Sequence, residues 1–227
     1  MDYLDHIAHE SEVFLHVALD GSMDVMVPSC PEWTMTDLVG HLGIVQWFHG
    51  GHLIRGVTDA PPGPRPPAPE TGLAEWFREG TRTLLQNLRT VGTATPAWTF
   101  LGVPANPTSG FWHRRMALEA AIHRWDAQFA RGRAEGFDTE LALDGIDEVV
   151  SSWVPSKRRG EEPQGTVTVV CTDGGQQFVM THGDPDAAQA TVTGTADDLW
   201  VALWGRIPLT DLDVRGDLDL ARSVRAR

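Results

Sequence analysis

The stretch that most limits how this chain can fold runs from Phe111 to Ala130, F-W-H-R-R-M-A-L-E-A-A-I-H-R-W-D-A-Q-F-A. It is rich in Ala, Leu, Met, Arg and Glu and contains neither Gly nor Pro, so it predicts one uninterrupted helix. At about 100° per residue, Leu118, Ile122, Trp125 and Phe129 form an apolar stripe. Arg114, Arg124 and Gln128 fall opposite and are expected to face water. Glu119 and His123 lie one turn apart beside the stripe. An acid and an imidazole turned inward are costly to desolvate unless something pairs with them. A plain Glu–His hydrogen bond would do so, and so would a divalent metal, because the i, i+4 spacing converges two ligands on one point.

A second inward histidine favours the metal. In V-P-S-C-P-E-W-T-M-T-D-L-V-G-H-L-G-I-V-Q-W-F-H-G-G-H-L, Pro28 and Pro31 hold the approach extended. Thr34 with Asp37 predicts a capped helix start, and the helix runs to about Leu53. His41 shares a face with Leu38, Ile44, Val45 and Phe48, whereas Val39 and Gln46 lean away. Gly40 and Gly43 predict close approach by a neighbouring element. His49 and His52 read as polar residues at the helix end, and His52 is about three turns from His41, too far to share its ligand. Cys30 stands before the helix and reads as packing, with a thiol ligand or a reactive group as the other readings.

The remaining elements follow in order. Asp2 to Leu19 predicts a first helix, with His6, His9 and His16 as surface or packing residues. Asp59 to Glu70 is a Pro-rich extended loop, able to act as a lid or a crossover. Gly72 to Leu88 predicts a third helix. Thr93 to Ser109 is a second long loop, with Trp98, Phe100 and Leu101 folding back. These helices and long connections describe a four-helix bundle. After Gly132 the pattern changes. Asp138 to Trp153 is helical, Thr166 to Cys171 and Gln177 to Thr181 form a hairpin about Asp173-Gly174-Gly175, and Ala190 to Gly194 is a third strand. Thr195 caps a further helix, and Leu218 to Arg225 is a last one. The fold class is therefore α+β, with a bundle over residues 1–136 and a smaller α/β domain over 137–227.

A net charge of -13 argues against nucleic-acid and anionic-membrane partners. The start of the chain lacks a basic segment followed by an apolar one, and the 2 cysteines lie far apart, so a reduced, cytoplasmic protein is expected, as a monomer or homodimer. The 9 Trp against 1 Tyr read mainly as core packing.

The motifs V-P-S-C-P-E-W-T-M-T-D-L-V-G-H-L-G, E-A-A-I-H-R-W-D-A, T-G-T-A-D-D-L-W and V-R-G-D-L-D-L-A-R resemble the mycothiol-dependent maleylpyruvate isomerase family, part of the wider DinB-like set of metal-binding bundles. The resemblance implies a divalent metal, usually zinc, held by His41, Glu119 and His123, and a C-terminal domain similar to sterol carrier proteins. It also implies a functional Arg near the chain end. Arg222 matches best, with Arg225 and Arg227 close in register. Mycothiol would be the co-substrate and a small electrophile the substrate.

Three protein ligands leave a coordination position open, as in catalytic zinc sites. A thiol there would lose its proton and could attack an electrophilic carbon, giving isomerisation or S-transfer. Asp126, one turn beyond His123, reads as its positioning partner, a thiol-contacting group or an exposed cap. A non-catalytic metal or small-molecule binding protein and a metal-dependent hydrolase are the other readings.

Overall fold

A computed structural model describes residues 1–65, 67–101, 107–157, 160 and 162–226. By contact density the chain divides into two compact units, Met1–Glu135 and Gly136–Arg227.

In the first unit, helix α1 (Tyr3–Leu19) starts where the Asp2 carboxylate accepts the Leu4 and Asp5 N–H groups. A short hairpin, β1 (Met26–Val27) and β2 (Cys30–Thr34), leads into α2 (Met35–Leu53). The expected capping pair forms. The Thr34 hydroxyl accepts the Asp37 N–H, and the Asp37 carboxylate accepts the Thr34 N–H at 2.8 Å. Helices α3 (Leu73–Val91) and α4 (Gly110–Ala130) complete the bundle. Helix α1 packs chiefly on α4 and α2 on α3, while α2 also meets α4. Phe14, Leu38, Leu42 and Phe77 lie in its core.

Glycines set the α2–α3 distance. A Cβ on Gly43 would collide with the Trp76 ring, and one on Gly80 would stand 2.8 Å from Trp47. The two indoles therefore interlock, and Trp47 Nε1 donates to the Trp76 carbonyl at 3.0 Å. The close approach read from Gly40 and Gly43 is thus present.

Several orientations differ from the helical-wheel reading. Arg124 and Gln128 are buried, not solvated. Arg124 donates to Glu10 on α1 at 2.8 Å and to Gln128 at 2.7 Å, so a buried ion pair joins the two helices. Val39 and Gln46 are also buried. Gln46 donates to Ser11 and accepts from Thr81, which satisfies its amide on both sides. His49 and His52 are buried as well, at 1% and 6% exposure, rather than fraying at a helix end. Phe129, assigned to the apolar stripe, is 38% exposed and stacks on Trp125. The common cause is that α2 and α4 are covered on more than one side, so no single apolar face exists to be read.

The second unit begins with α5 (Thr139–Glu148), which runs into a π-helical turn at Val149–Trp153 and a short α6 (Val154–Lys157). A four-stranded sheet follows: β3 (Gly165–Cys171), β4 (Gln177–His182), β5 (Gln189–Gly194) and β6 (Asp213–Gly216), in the order β4-β3-β5-β6. Strand β3 is antiparallel to β4 and parallel to β5, and β6 is antiparallel to β5. Its residues alternate in burial, with Val167, Val169 and Cys171 inward. Helices α7 (Ala196–Leu203, capped by Thr195) and α8 (Leu218–Arg222) pack on the sheet. The strand at Asp213–Gly216 was not among the expected elements, and the final helix stops at Arg222 rather than Arg225.

The helix interface yields a paired test. Gly→Ala in a helix gains about 1 kcal/mol from propensity alone. At Gly51, with nothing within 4 Å of an added Cβ, urea unfolding should show a gain of up to about 1 kcal/mol. At Gly43 the Trp76 ring stands in the way, and Gly43→Ala should instead lose about 1–3 kcal/mol, the usual cost of overpacking. Equal gains at both positions would contradict the interlocked α2–α3 packing.

Candidate metal centre

Helices α2 and α4 bring His41, Glu119 and His123 together. Each offers one ligand atom, and the three atoms lie within 4.8 Å of one another. Both imidazole Nε2 atoms point at the same carboxylate oxygen: His41 Nε2 and His123 Nε2 each stand 3.3 Å from Glu119 Oε1. The His41 side chain is 30% exposed and Glu119 15%, whereas His123 is 3% exposed. His41 therefore lines the open side of the cluster instead of lying in the core.

Three neighbours set the electrostatics. Arg115, one turn before Glu119 and buried, ion-pairs with its second oxygen. Burial alone would raise the Glu119 carboxyl, but the Arg115 guanidinium, with His123 and His41, holds it well below the usual carboxylate range. Asp126 is fully buried, and its Oδ2 stands 2.8 Å from His123 Nδ1. An ionised carboxylate only accepts, so Nδ1 donates to Asp126, and Nε2 donates to Glu119 when it carries a proton. Burial opposes charge on His123, yet Glu119 and Asp126 outweigh it and raise its pKa. His41 goes the other way: burial lowers it, and its bond to Glu119 only partly offsets that.

Asp126 is thus a buried partner of His123 and not an exposed cap. The Cys30 thiol lies 3.9 Å from the same Asp126 oxygen, so the hairpin contributes to this network. Arg222 belongs to α8 in the second unit, where its Nη1 donates to Asp219 at 2.9 Å. Arg225 is half-buried near Gly205 in that unit, and Arg227 lies outside the described residues.

Two residues of the site were not read from the sequence. Arg115 was hidden because a mid-helix Arg defaults to solvent, although its i, i+4 spacing to Glu119 was a usable signal. Trp33 packs at a tilt beside His41 with ring centroids 4.6 Å apart and lies 6.3 Å from the His123 ring. Its place just before the Thr34 cap, where side chains fold back over the first turns, was the available cue.

Further along α2, His49 lies flat against Trp112 of α4 with centroids 3.8 Å apart, and Trp98 and Phe100 surround the pair. Its Nδ1 has no hydrogen-bond partner among the described residues. A groove between α1 and α3, along Leu15, Phe77 and Leu85, holds no member of the triad.

The described structure defines a two-unit α+β protein whose helical unit carries an inward His–Glu–His cluster suited to a divalent cation. No curated protein matches the chain significantly. The family model of the mycothiol maleylpyruvate isomerase N-terminal domain matches residues 4–128, and that of the family's C-terminal domain matches 140–223. The chain belongs to the mycothiol maleylpyruvate isomerase family. Two solved structures of mycothiol-dependent maleylpyruvate isomerase, one an alanine-substituted variant, share its fold. The variant is 12% identical with a TM-score of 0.69, and the other is 13% identical with 0.68; each match covers 95% of this chain and 92% of that chain. No helix among the described residues is long and apolar enough to cross a membrane.

Burial of His49 makes a pH prediction. Desolvation holds its pKa well below the ordinary imidazole value, so it is neutral when folded. In the unfolded chain it takes a proton below about pH 6.5. Its contribution is therefore complete above that pH and is lost as the pH falls toward the folded value, by at most about 1.4 kcal/mol per unit. Between pH 7 and 5.5 the stability of wild type should fall more steeply than that of His49→Phe. Parallel slopes in chemical unfolding would contradict a neutral, buried His49.

Proposed function

We propose that the protein is a metal-dependent, mycothiol-using enzyme that isomerises a small electrophile with an activated cis double bond. The observation that carries this reading is the convergence of His41, Glu119 and His123, in a chain of this family. The donors fit a divalent ion. Ligands about 2.0–2.1 Å from a tetrahedral zinc are about 3.3 Å apart, and both Nε2-to-Oε1 separations are 3.3 Å. Two imidazoles and a carboxylate are also a ligand set that zinc takes in catalytic sites.

When bound there, the metal would supply Lewis acidity that favours the thiolate form of a low-molecular-weight thiol near neutral pH. The protein's own groups prepare the site. Arg115 keeps Glu119 ionised and fixes its orientation. Asp126 fixes the tautomer of His123, as carboxylate partners of ligating histidines do. Trp33 walls one side of His41, and the partly exposed edge of His41 is the approach for ligands. The three ligands bring one negative charge and Arg115 brings one positive. A dication would thus leave the centre positive and receptive to an anion.

In the reaction, the thiolate adds to one carbon of the cis double bond and the electron pair moves into the conjugated carbonyl. The former double bond rotates, the pair returns and the thiolate leaves, so no atom is gained or lost. On the family resemblance we assign Arg222 to one carboxylate of a dicarboxylate substrate. The protein is expected to work in the cytoplasm on small molecules, without nucleic-acid or membrane partners.

Metal analysis and turnover test this reading separately. Wild type should hold close to one equivalent of zinc, and His41→Ala and His123→Ala should lose most of it. Asp126→Asn should weaken binding about 10–100-fold. Full retention in both His variants would remove the assignment. Metal-loaded protein with mycothiol and maleylpyruvate, followed by NMR, should convert cis to trans without consuming thiol. A stable thioether product would instead make it an S-transferase, and thiol-independent water addition would make it a hydrolase.

A further inference from the structure

We propose that Arg65, carried on the Pro-rich strap between α2 and α3, is a carboxylate-binding group of this site and selects anionic substrates. The inference rests on the function proposed above for its chemistry, but its geometry is independent of it.

The strap lies along α2 and touches it at two places on either side of His41. Ala68 sits over Gly40: a Cβ added to Gly40 would stand 3.3 Å from the Ala68 Cβ. Gly40 immediately precedes His41, so the missing side chain is what lets the strap settle beside the triad. At the other contact, the Arg65 guanidinium carbon lies 5.3 Å from the centre of the Phe48 ring. Phe48 is seven residues beyond His41, hence on the same face of α2 about 10 Å along it. Its ring also meets His49 and His52, at 5.1 Å and 5.8 Å between centroids.

The guanidinium forms no ion pair among the described residues, in a chain with 31 acidic and 18 basic side chains. Several other exposed arginines here are paired, Arg78 with Glu75, Arg82 with Glu79 and Arg215 with Asp213. Resting on an aromatic face holds the cation in place but leaves the N–H groups at its edge unused. That planar fork matches a carboxylate with two parallel hydrogen bonds. A small carbon-chain acid lying along α2 would put its carboxylate at Arg65 and its reactive carbon toward His41. A strap arginine that merely pinned the loop to Phe48 would show no such preference for anions.

The test uses the full-length, zinc-loaded protein and maleate, a dicarboxylate that probes binding without needing turnover. Calorimetric titration should show Arg65→Gln weakening maleate at least about tenfold, the effect of losing a charge-assisted pair, with Arg65→Lys intermediate. Zinc content and mycothiol affinity should stay at wild-type levels. Phe48→Leu, which removes the ring under the guanidinium but keeps the charge, should weaken maleate less than Arg65→Gln. Equal maleate affinity in wild type and Arg65→Gln, or no maleate binding by wild type, would overturn the proposal. So would parallel losses of mycothiol and maleate affinity, which would mark Arg65 as a structural contact. Maleate binding that depends on Arg65, together with absence of isomerase turnover, would sustain the anion site and defeat only the isomerase reading.

Discussion

The feature on which the bundle depends is a row of charge buried along one helix. Arg115, Glu119, His123 and Asp126 follow one another at three- and four-residue intervals on α4, and all but Glu119 are almost wholly out of water. Charges in such a place are tolerated only when each meets an opposite charge or a hydrogen-bond partner. The pairing here is sequential: Arg115 to Glu119, Glu119 to His123, His123 to Asp126. Removing one partner from a buried pair costs about 3–5 kcal/mol, so the row holds its members in one arrangement. That rigidity aims two imidazole nitrogens at one carboxylate oxygen.

The rest of the helical unit can be understood as enclosing that row while leaving one side open. Helix α1 covers the far side of α4 and ties it down through the Glu10–Arg124 pair. Helix α2 supplies His41 from across the bundle, and its glycines admit α3 on one flank and the strap on the other. The hairpin before α2 brings Trp33 over the two imidazoles and Cys30 to Asp126. Two turns below, the His49–Trp112 stack closes the interior with aromatic rings. The opening is left at His41, whose side chain is 30% exposed.

Much of this was legible in local sequence. The Thr34–Asp37 capping pair announced the start of α2 because a cap is a contact between residues three apart. The i, i+4 spacing of Glu119 and His123 put both on one face by helix geometry alone. The tight turn at Asp173-Gly174-Gly175 between β-branched runs marked the β3–β4 hairpin, and Gly175 takes the positive φ such a turn requires. The inward orientation of Arg124, Gln46, His49 and His52 was not legible. Each is polar, so a helical wheel sends it outward unless its partner is known. Those partners, Glu10, Ser11, Thr81 and the Trp112 ring, lie on other helices.

The division is physical. By itself the sequence determined what depends on short-range geometry: helix and strand segments, caps, turns, the alternation of β3, and which polar residues share a face with apolar ones. It also carried the order of motifs by which the family is recognised. Only the tertiary structure decided what depends on long-range pairing: that Arg115 shares Glu119 with the histidines, that Asp126 is buried against His123, and that the strap meets α2 at Gly40 and Phe48. A buried charge is stable only beside its partner. Where partners are far apart in the chain, burial becomes readable only once the fold has brought them together.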